Sequence, residues 1–243
     1  MHPGSIGMYG WQIAFLILKP RHNLEGKIIM KNNTPIYDNY RSSQRQLEAV
    51  NKSTYGFKVV RNINDLMKVV AIRSAVFLSE QECPYDEEFD GNDFCALHLI
   101  GYANNEPAAC IRARFFADFA KLERLAVRHE FRNTTLSFRM VRAGIELARK
   151  KGYTKIYGHA QDRLVNFWSS FGAKPQPKRC DLVFSDFSYT EMLLEAKPHP
   201  DPITLQSDPY TIIRSEGTWH REGILDQSSD REITSPLRDL KAA

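Results

Sequence analysis

The apolar positions from residue 57 onward change period several times, and each change marks an element. Phe57-Lys-Val-Val-Arg61 alternates as a strand. Asn62 then caps a helix in which Leu66, Val69, Val70, Ala75, Val76 and Phe77 recur at helical spacing. Residues 96–103 and 108–116 read as two strands joined by a hairpin turn at Asn104-Asn-Glu-Pro107, and residues 121–127 continue the meander. Leu136, Met140, Val141, Gly144, Leu147 and Ala148 then give a second helix its buried face. Asn133, Thr134 and Thr135 can cap its start, Arg149 to Lys151 lie in its last turn, and Gly152 can end it. A strand over 154–160, a helix over 162–171 and a final β-like segment over 189–194 complete a mixed α/β (α+β) order.

The ends lack this periodicity. Residues 1–55 carry scattered Gly, Asn, Pro and Tyr and read as a mostly irregular N-terminal arm. Within it, Ile13-Ala-Phe-Leu-Ile-Leu18 falls well short of the roughly 20 residues of a membrane span and reads as a docking strand or a start-site artefact. Residues 56–195 form the folded domain. Residues 196–243, rich in Pro, Ser and charge, read as an extension packed on the core through Tyr210, Ile212, Ile213 and Trp219.

A chain of 243 residues, 42% hydrophobic, suffices for one well-cored domain of about 150 residues with two appendages. Lys and Arg exceed Asp and Glu by only 33 to 29, which argues against nucleic acid as the main partner. Cys83, Cys95, Cys110 and Cys180 form no C-x-x-C pair, so neither a zinc site nor a disulfide framework is expected; they read as buried thiols of a cytoplasmic protein. The acidic run from Glu80 to Asp93 reads as an exposed loop or short helix, either solvated or facing substrate.

Charge is more telling locally. Arg128, Arg132, Arg139 and Arg142 cluster around the start of the second helix, where free N–H groups and the positive dipole end favour a small polyanion. His98 and His159 fall in expected strands, and each is read as a core histidine with a satisfied ring, although either could titrate near neutral pH.

The element order, Leu125-Ala-Val127, Arg132 and the block from Ala160-Gln161 to Phe171-Gly172 together resemble the GNAT acyltransferase superfamily. Arg73-x-x-Val-Phe77, Glu80-Gln81, Asp90, His98-Leu99 and Ala160-Gln161 look most like its ElaA-like branch. The likeness covers roughly residues 57–195. It implies a mainly antiparallel central sheet flanked by helices, with acetyl-CoA or another acyl-CoA as co-substrate and no metal. It also implies an N-acyltransferase that moves the acyl group to a small-molecule or protein amine by direct attack. The matching positions are Leu125, Ala126 and Val127 for the pantetheine arm, and Arg132, Asn133, Thr134, Thr135, Leu136 and Ser137 for the pyrophosphate. Gln161 also faces the arm.

The family's R-G-x-G-x-G stands here as Arg132-Asn-Thr-Thr-Leu-Ser137, a degenerate pyrophosphate loop. If the family's glycines serve positive φ angles, Asn133 is tolerated and Thr135 costs roughly 1 to 2 kcal/mol. Trp168 occupies the place where many members carry an acid tyrosine. Indole cannot deliver a proton near neutral pH, so another group or water protonates the thiolate, or it leaves unprotonated.

Period-two alternation puts Glu123 on one strand face with Leu125 and Val127, either as general base or in a salt bridge with Arg112 or Arg114. Arg112, Arg114 and His98 are candidates for binding the acceptor, the arginines through a carboxylate or else pairing with the acidic run. Two alternatives stay open. One is a synthase of N-acyl amino acids or homoserine lactones with a longer acyl donor; the other is a non-catalytic acyl-CoA-binding or regulatory module. A homodimer is equally open.

Overall fold

The computed structural model describes residues 54–232. The run at Ile13–Leu18, nearly all of the expected arm and the last residues of the extension lie outside them.

The chain opens with β1 (Tyr55–Val59) and α1 (Ile63–Arg73), whose start is fixed by Asn62 Oδ1 accepting from the Asp65 amide at 2.9 Å. The helix widens into a π-helical stretch over Ser74–Glu80, followed by the single turn α2 (Tyr85–Glu88). Val69, Ile72 and Val76, at regular helical spacing, are buried, whereas the expected Ala75 is exposed.

The strands β2 (Leu97–Ala103), β3 (Glu106–Phe115) and β4 (Ala120–Val127) form the expected meander, turning at Asn104 and Asn105 with positive φ. Then come α3 (Leu136–Lys150), β5 (Lys155–Gln161) and α4 (Val165–Ser169), which is shorter than expected because its first turn is 3₁₀. The strands β6 (Lys174–Pro175), β7 (Leu182–Phe184) and β8 (Phe187–Glu195) follow, and α5 (Pro209–Ile213) lies in the extension. The hairpin of β7 and β8, turning at Ser185 and Asp186, is an addition to the expected order.

The sheet order is β1-β2-β3-β4-β5-β8-β6, with β7 beside β8; all pairs are antiparallel except β4–β5. Against one face packs α3, whose Leu136, Met140, Val141 and Leu147 meet Leu99, Ile111 and Leu122. Close approach is possible because Gly144 sits over Leu122, where an added Cβ would come within 3.2 Å of that side chain. Against the other face packs α1, burying Val69, Ile72 and Val76 on Ile100, Cys110 and Ala126.

The extension runs along the far end of α3. Arg149 donates to the carbonyls of Lys197 and Pro198, Lys151 pairs with Glu216, and Trp219 is buried. Tyr210, Ile212 and Ile213 stay about half exposed, so Trp219 is the anchor among the expected four. The cysteines also differ from expectation: only Cys110 is buried, where burial pushes its thiol up to about 12, while Cys95 and Cys180 are exposed.

Candidate active site

Parallel strands joined by a helix place their C-terminal ends and the helix start together. Here β4 and β5 pair only at Ala120↔Ile156 and Lys121↔Tyr157, then separate. Beyond Lys121 the β5-facing edge of β4 pairs with no strand among the described residues.

The separation is accompanied by a bulge. Between Cys110↔Ala126 and Arg112↔Glu123, β3 advances two residues and β4 three, with Arg124 at φ 54°. The extra residue inverts the alternation. Glu123 shares the α1 side with Arg112 and Ala126, whereas Leu125 and Val127 pack towards α3. The expected common face of Glu123, Leu125 and Val127 is thus corrected, for a left-handed residue breaks the period on which it rested.

Arg124 is held in this conformation by the chain opposite. Its guanidinium donates to the Glu87 carbonyl at 2.6 Å and pairs with Glu88 and Asp90 at 3.0 and 3.2 Å. Arg73, fully buried, also pairs with Glu88, and with Asp93 at 2.6 Å. Arg112, equally buried, donates to Asp90 and Asp93 at 2.8 Å and to Glu123 at 3.0 Å.

The acidic run is therefore not a solvated loop: Glu88, Asp90 and Asp93 turn inward onto three arginines. Arg112 is corrected as a substrate contact, since it reaches no open surface and three carboxylates already occupy its donors. His98 is corrected likewise: it is buried, and its Nε2 bonds the Asp93 carbonyl at 3.0 Å. Arg114 differs, lying over the Phe116 ring with only a 3.8 Å approach to Glu123.

These pairs make stability pH-dependent. Burial alone would raise Asp90, Asp93 and Glu123, but Arg112 at Asp90, Arg73 and Arg112 at Asp93, and Lys121 at Glu123 hold all three below their ordinary values. A carboxyl depressed in the folded state stabilises above its unfolded pKa and loses that contribution as pH falls through the carboxylate range. Burial pushes Glu88 the other way, so it does not add to this dependence. The urea midpoint is expected to decline slightly as pH falls through the histidine range, because burial keeps His98 and His159 neutral in the fold while the unfolded chain protonates them, and to fall steeply below about pH 4; an equal midpoint at pH 3 and pH 7 would contradict this.

The loop after β4 contains no glycine. Asn133 alone takes positive φ, at 61°, while Thr135 sits at −78° and carries no left-handed strain. Thr134 Oγ1 accepts from the Leu136 amide at 3.2 Å, and Thr135 makes no side-chain cap. The first N–H groups of a helix have no intrahelical acceptor, so those at the start of α3 point towards the loop. Arg132 is tethered, donating to the Val127 carbonyl at 3.0 Å and pairing with Glu80.

Next to Glu80, Gln81 reaches across to β5. Gln161 is 8% exposed and its Nε2 donates to Tyr189 Oη at 3.2 Å and Gln81 Oε1 at 3.4 Å, yet its carbonyl oxygen has no partner among the described residues. A buried amide oxygen with no donor is costly in isolation and suits a ligand N–H.

Between the β4–β5 pair and the helices α3 and α4 lies an apolar cavity of about 20 Å³ bordered by Leu122, Gly158, Trp168, Phe171 and Met192. Trp168 packs among Phe167 and Phe171 and brings no acid to it. On the opposite face Tyr157, His159, Glu191 and Arg179 form a polar group. Sequence reasoning missed this group. His159 is only half-buried, which corrects its reading as a core residue.

Residues 66–173 match the acetyltransferase (GNAT) family. The protein BSU40680 of Bacillus subtilis (strain 168) is 30% identical over 118 residues, covering 47% of this chain and 80% of that protein. The chain belongs to the GNAT acetyltransferase family. Protein ElaA of Escherichia coli (strain K12) is 29% identical to this GNAT chain over 120 residues, 47% of it and 78% of ElaA. The crystal structure of Escherichia coli ElaA superposes with a TM-score of 0.52 at 24% identity, covering 58% of this GNAT chain and all of ElaA. The structure of FeeM, an N-acyl amino acid synthase from uncultured soil microbes, shares the fold at 9% identity and a TM-score of 0.51, covering 59% and 91%. Among the described residues no helix is long and apolar enough to cross a membrane, and no group of three or more His, Cys, Asp or Glu could hold a metal ion.

Proposed function

We propose that this GNAT protein is a cytoplasmic N-acetyltransferase of the ElaA-like type, which binds acetyl-CoA between β4 and β5 and passes its acetyl group to an amine. The observation that carries the reading is the buried carbonyl of Gln161, without a partner among the described residues, at the end of β5 where β4 and β5 no longer pair. A pantetheine arm has amide N–H groups for that carbonyl and pairs in extended form with the β4 edge, along Leu125, Ala126 and Val127.

The pyrophosphate belongs at residues 132–137. Asn133 supplies the positive φ that glycine supplies elsewhere, and Thr134, Thr135 and Ser137 add hydroxyl donors to the amides at the start of α3. Arg132 serves by positioning the loop through Glu80 and Val127. The ElaA-like assignment draws support from the roles of its matching residues: Arg73 and Asp90 brace the bulge, Glu80 the loop and Gln81 the end of β5.

The cavity beside Leu122 and Trp168 holds about one water-sized group and is too small for a long acyl chain. The amine comes from the opposite face, where Glu123 provides a fixed negative charge and Arg114 can meet an acceptor carboxylate. Lys121 at 2.7 Å and Arg112 hold Glu123 ionised and weakly basic, which suits it to attract a cation.

A panel of amino acids, polyamines, aminoglycosides and peptide N-termini, followed by release of CoA thiol, tests the function. Acceptor-dependent release with acetyl-CoA is expected. Release with long-chain acyl-CoA alone would favour the N-acyl amino acid synthase reading, and acetyl-CoA binding without release would favour a non-catalytic module.

A further inference from the structure

We infer that His159 is the general base of the transfer, with Nδ1 as its basic atom and with Tyr157 and Glu191 fixing its tautomer. The inference rests on the acyl-transfer reading above and assigns a role that reading leaves open.

Hydrogen-bond bookkeeping decides the tautomer. The Tyr157 hydroxyl donates its one proton to Glu191, a carboxylate that also receives both Arg179 Nε at 3.0 Å and an Arg179 terminal nitrogen. Tyr157 Oη also lies 2.8 Å from His159 Nε2. With the hydroxyl proton already committed, Oη can only accept there, so Nε2 carries the imidazole proton. The lone pair is then on Nδ1. That atom has no hydrogen-bond partner among the described residues and is not sealed from solvent.

Position agrees with the role. In parallel register Lys121 lies opposite Tyr157, so His159 is the β5 counterpart of Glu123, two residues into the separation and on the same face. Phe184 of β7 lies 5.8 Å from the imidazole ring, and Ser185 beside it is held by Glu87, so the hairpin and α2 wall this face. The charged groups facing His159 are Lys121 and Glu123 of β4, Glu191 of β8 and Arg179 before β7. Burial and then Lys121 lower its pKa against the opposing pull of Glu191 and Glu123, so the ring is neutral at pH 7.

An acceptor that arrives as an ammonium ion first releases one proton to solvent; as the neutral nitrogen then bonds to the thioester carbonyl carbon, its next proton passes to Nδ1. The C–S bond breaks with the electron pair leaving on sulfur, and the imidazolium proton passes to that thiolate. Amide and thiol are the products, and the imidazole is restored. Trp168 then leaves no gap in the proton accounting, because the base returns the proton as acid.

Two measurements test this. Nitrogen NMR of histidine-labelled protein at pH 7 is expected to show a neutral His159 ring protonated at Nε2, with the resonance assigned by its loss in His159→Gln; a proton on Nδ1, or an imidazolium, would overturn the inference. With the acceptor from the amine panel, His159→Gln is expected to lower kcat/KM by on the order of 10² to 10⁴ while the acetyl-CoA dissociation constant stays unchanged. The acid limb of the wild-type profile should lie below pH 6.5 and move in Tyr157→Phe, a shift that a merely structural tyrosine would not cause. Undiminished turnover by both His159→Gln and His159→Asn would overturn the base and leave the acyl-transfer reading standing. Failure of the wild type to bind acetyl-CoA would remove that reading itself.

Discussion

Replacing Arg112 by alanine is expected to cost the folded state about 3 to 5 kcal/mol, because Asp90, Asp93 and Glu123 would stay in place without the guanidinium that joins them. The cost would appear as a large fall in the urea midpoint. The comparison with Arg114→Ala is informative: that guanidinium is partly exposed and approaches Glu123 only at 3.8 Å, so its loss is expected to change stability by less than about 1 kcal/mol. A stable Arg112→Ala protein with a raised KM for acceptor would mean that Arg112 meets substrate after all. Arg124 links the cluster to the β4 bulge.

The second large effect concerns the loop proposed to hold the pyrophosphate. Thr135 precedes α3 without a side-chain cap, so Thr135→Asp should improve the helix start by a few tenths to about 1 kcal/mol. The same carboxylate would stand where the pyrophosphate is proposed to sit. Like charges a few ångströms apart near a protein surface repel by a few kcal/mol, so acetyl-CoA affinity is expected to fall on the order of 100-fold while thermal stability holds or rises. Unchanged affinity would place the pyrophosphate elsewhere.

Local signals in the sequence revealed much of the fold. The cap at Asn62, the buried face of α3 from Leu136 to Ala148 and the turn at Asn104-Asn105 each depend on neighbours within a few residues, and each stands where expected. The bulge did not announce itself. Arg124 is an ordinary residue in a strand, and it is left-handed because Glu87, Glu88 and Asp90, more than thirty positions earlier, hold its guanidinium. Reading Glu123 onto the face of Leu125 followed from that hidden inversion.

The acidic run was opaque for the same reason. Its partners Arg73, Arg112 and Arg124 come from three separate elements, and a charge run whose counter-charges are distant looks solvated. The polar face around His159 combines both difficulties. Tyr157 and His159 are two apart on one strand, which was legible, but Glu191 and Arg179 join them only through the β5–β8 pairing and the turn before β7. By contrast, Asn133 was identifiable as the one loop residue tolerant of positive φ, and the structure gives it that angle without imposing it on Thr135.

A glycine-free loop and the separated β4–β5 edge are proposed to hold acetyl-CoA. Calorimetric titration of the full chain with acetyl-CoA tests it most directly. One site per chain is expected, with affinity weakened by Thr135→Asp and by replacing Gln161 with leucine. Absence of any heat or thermal shift with acetyl-CoA, CoA and longer acyl-CoAs would contradict the account.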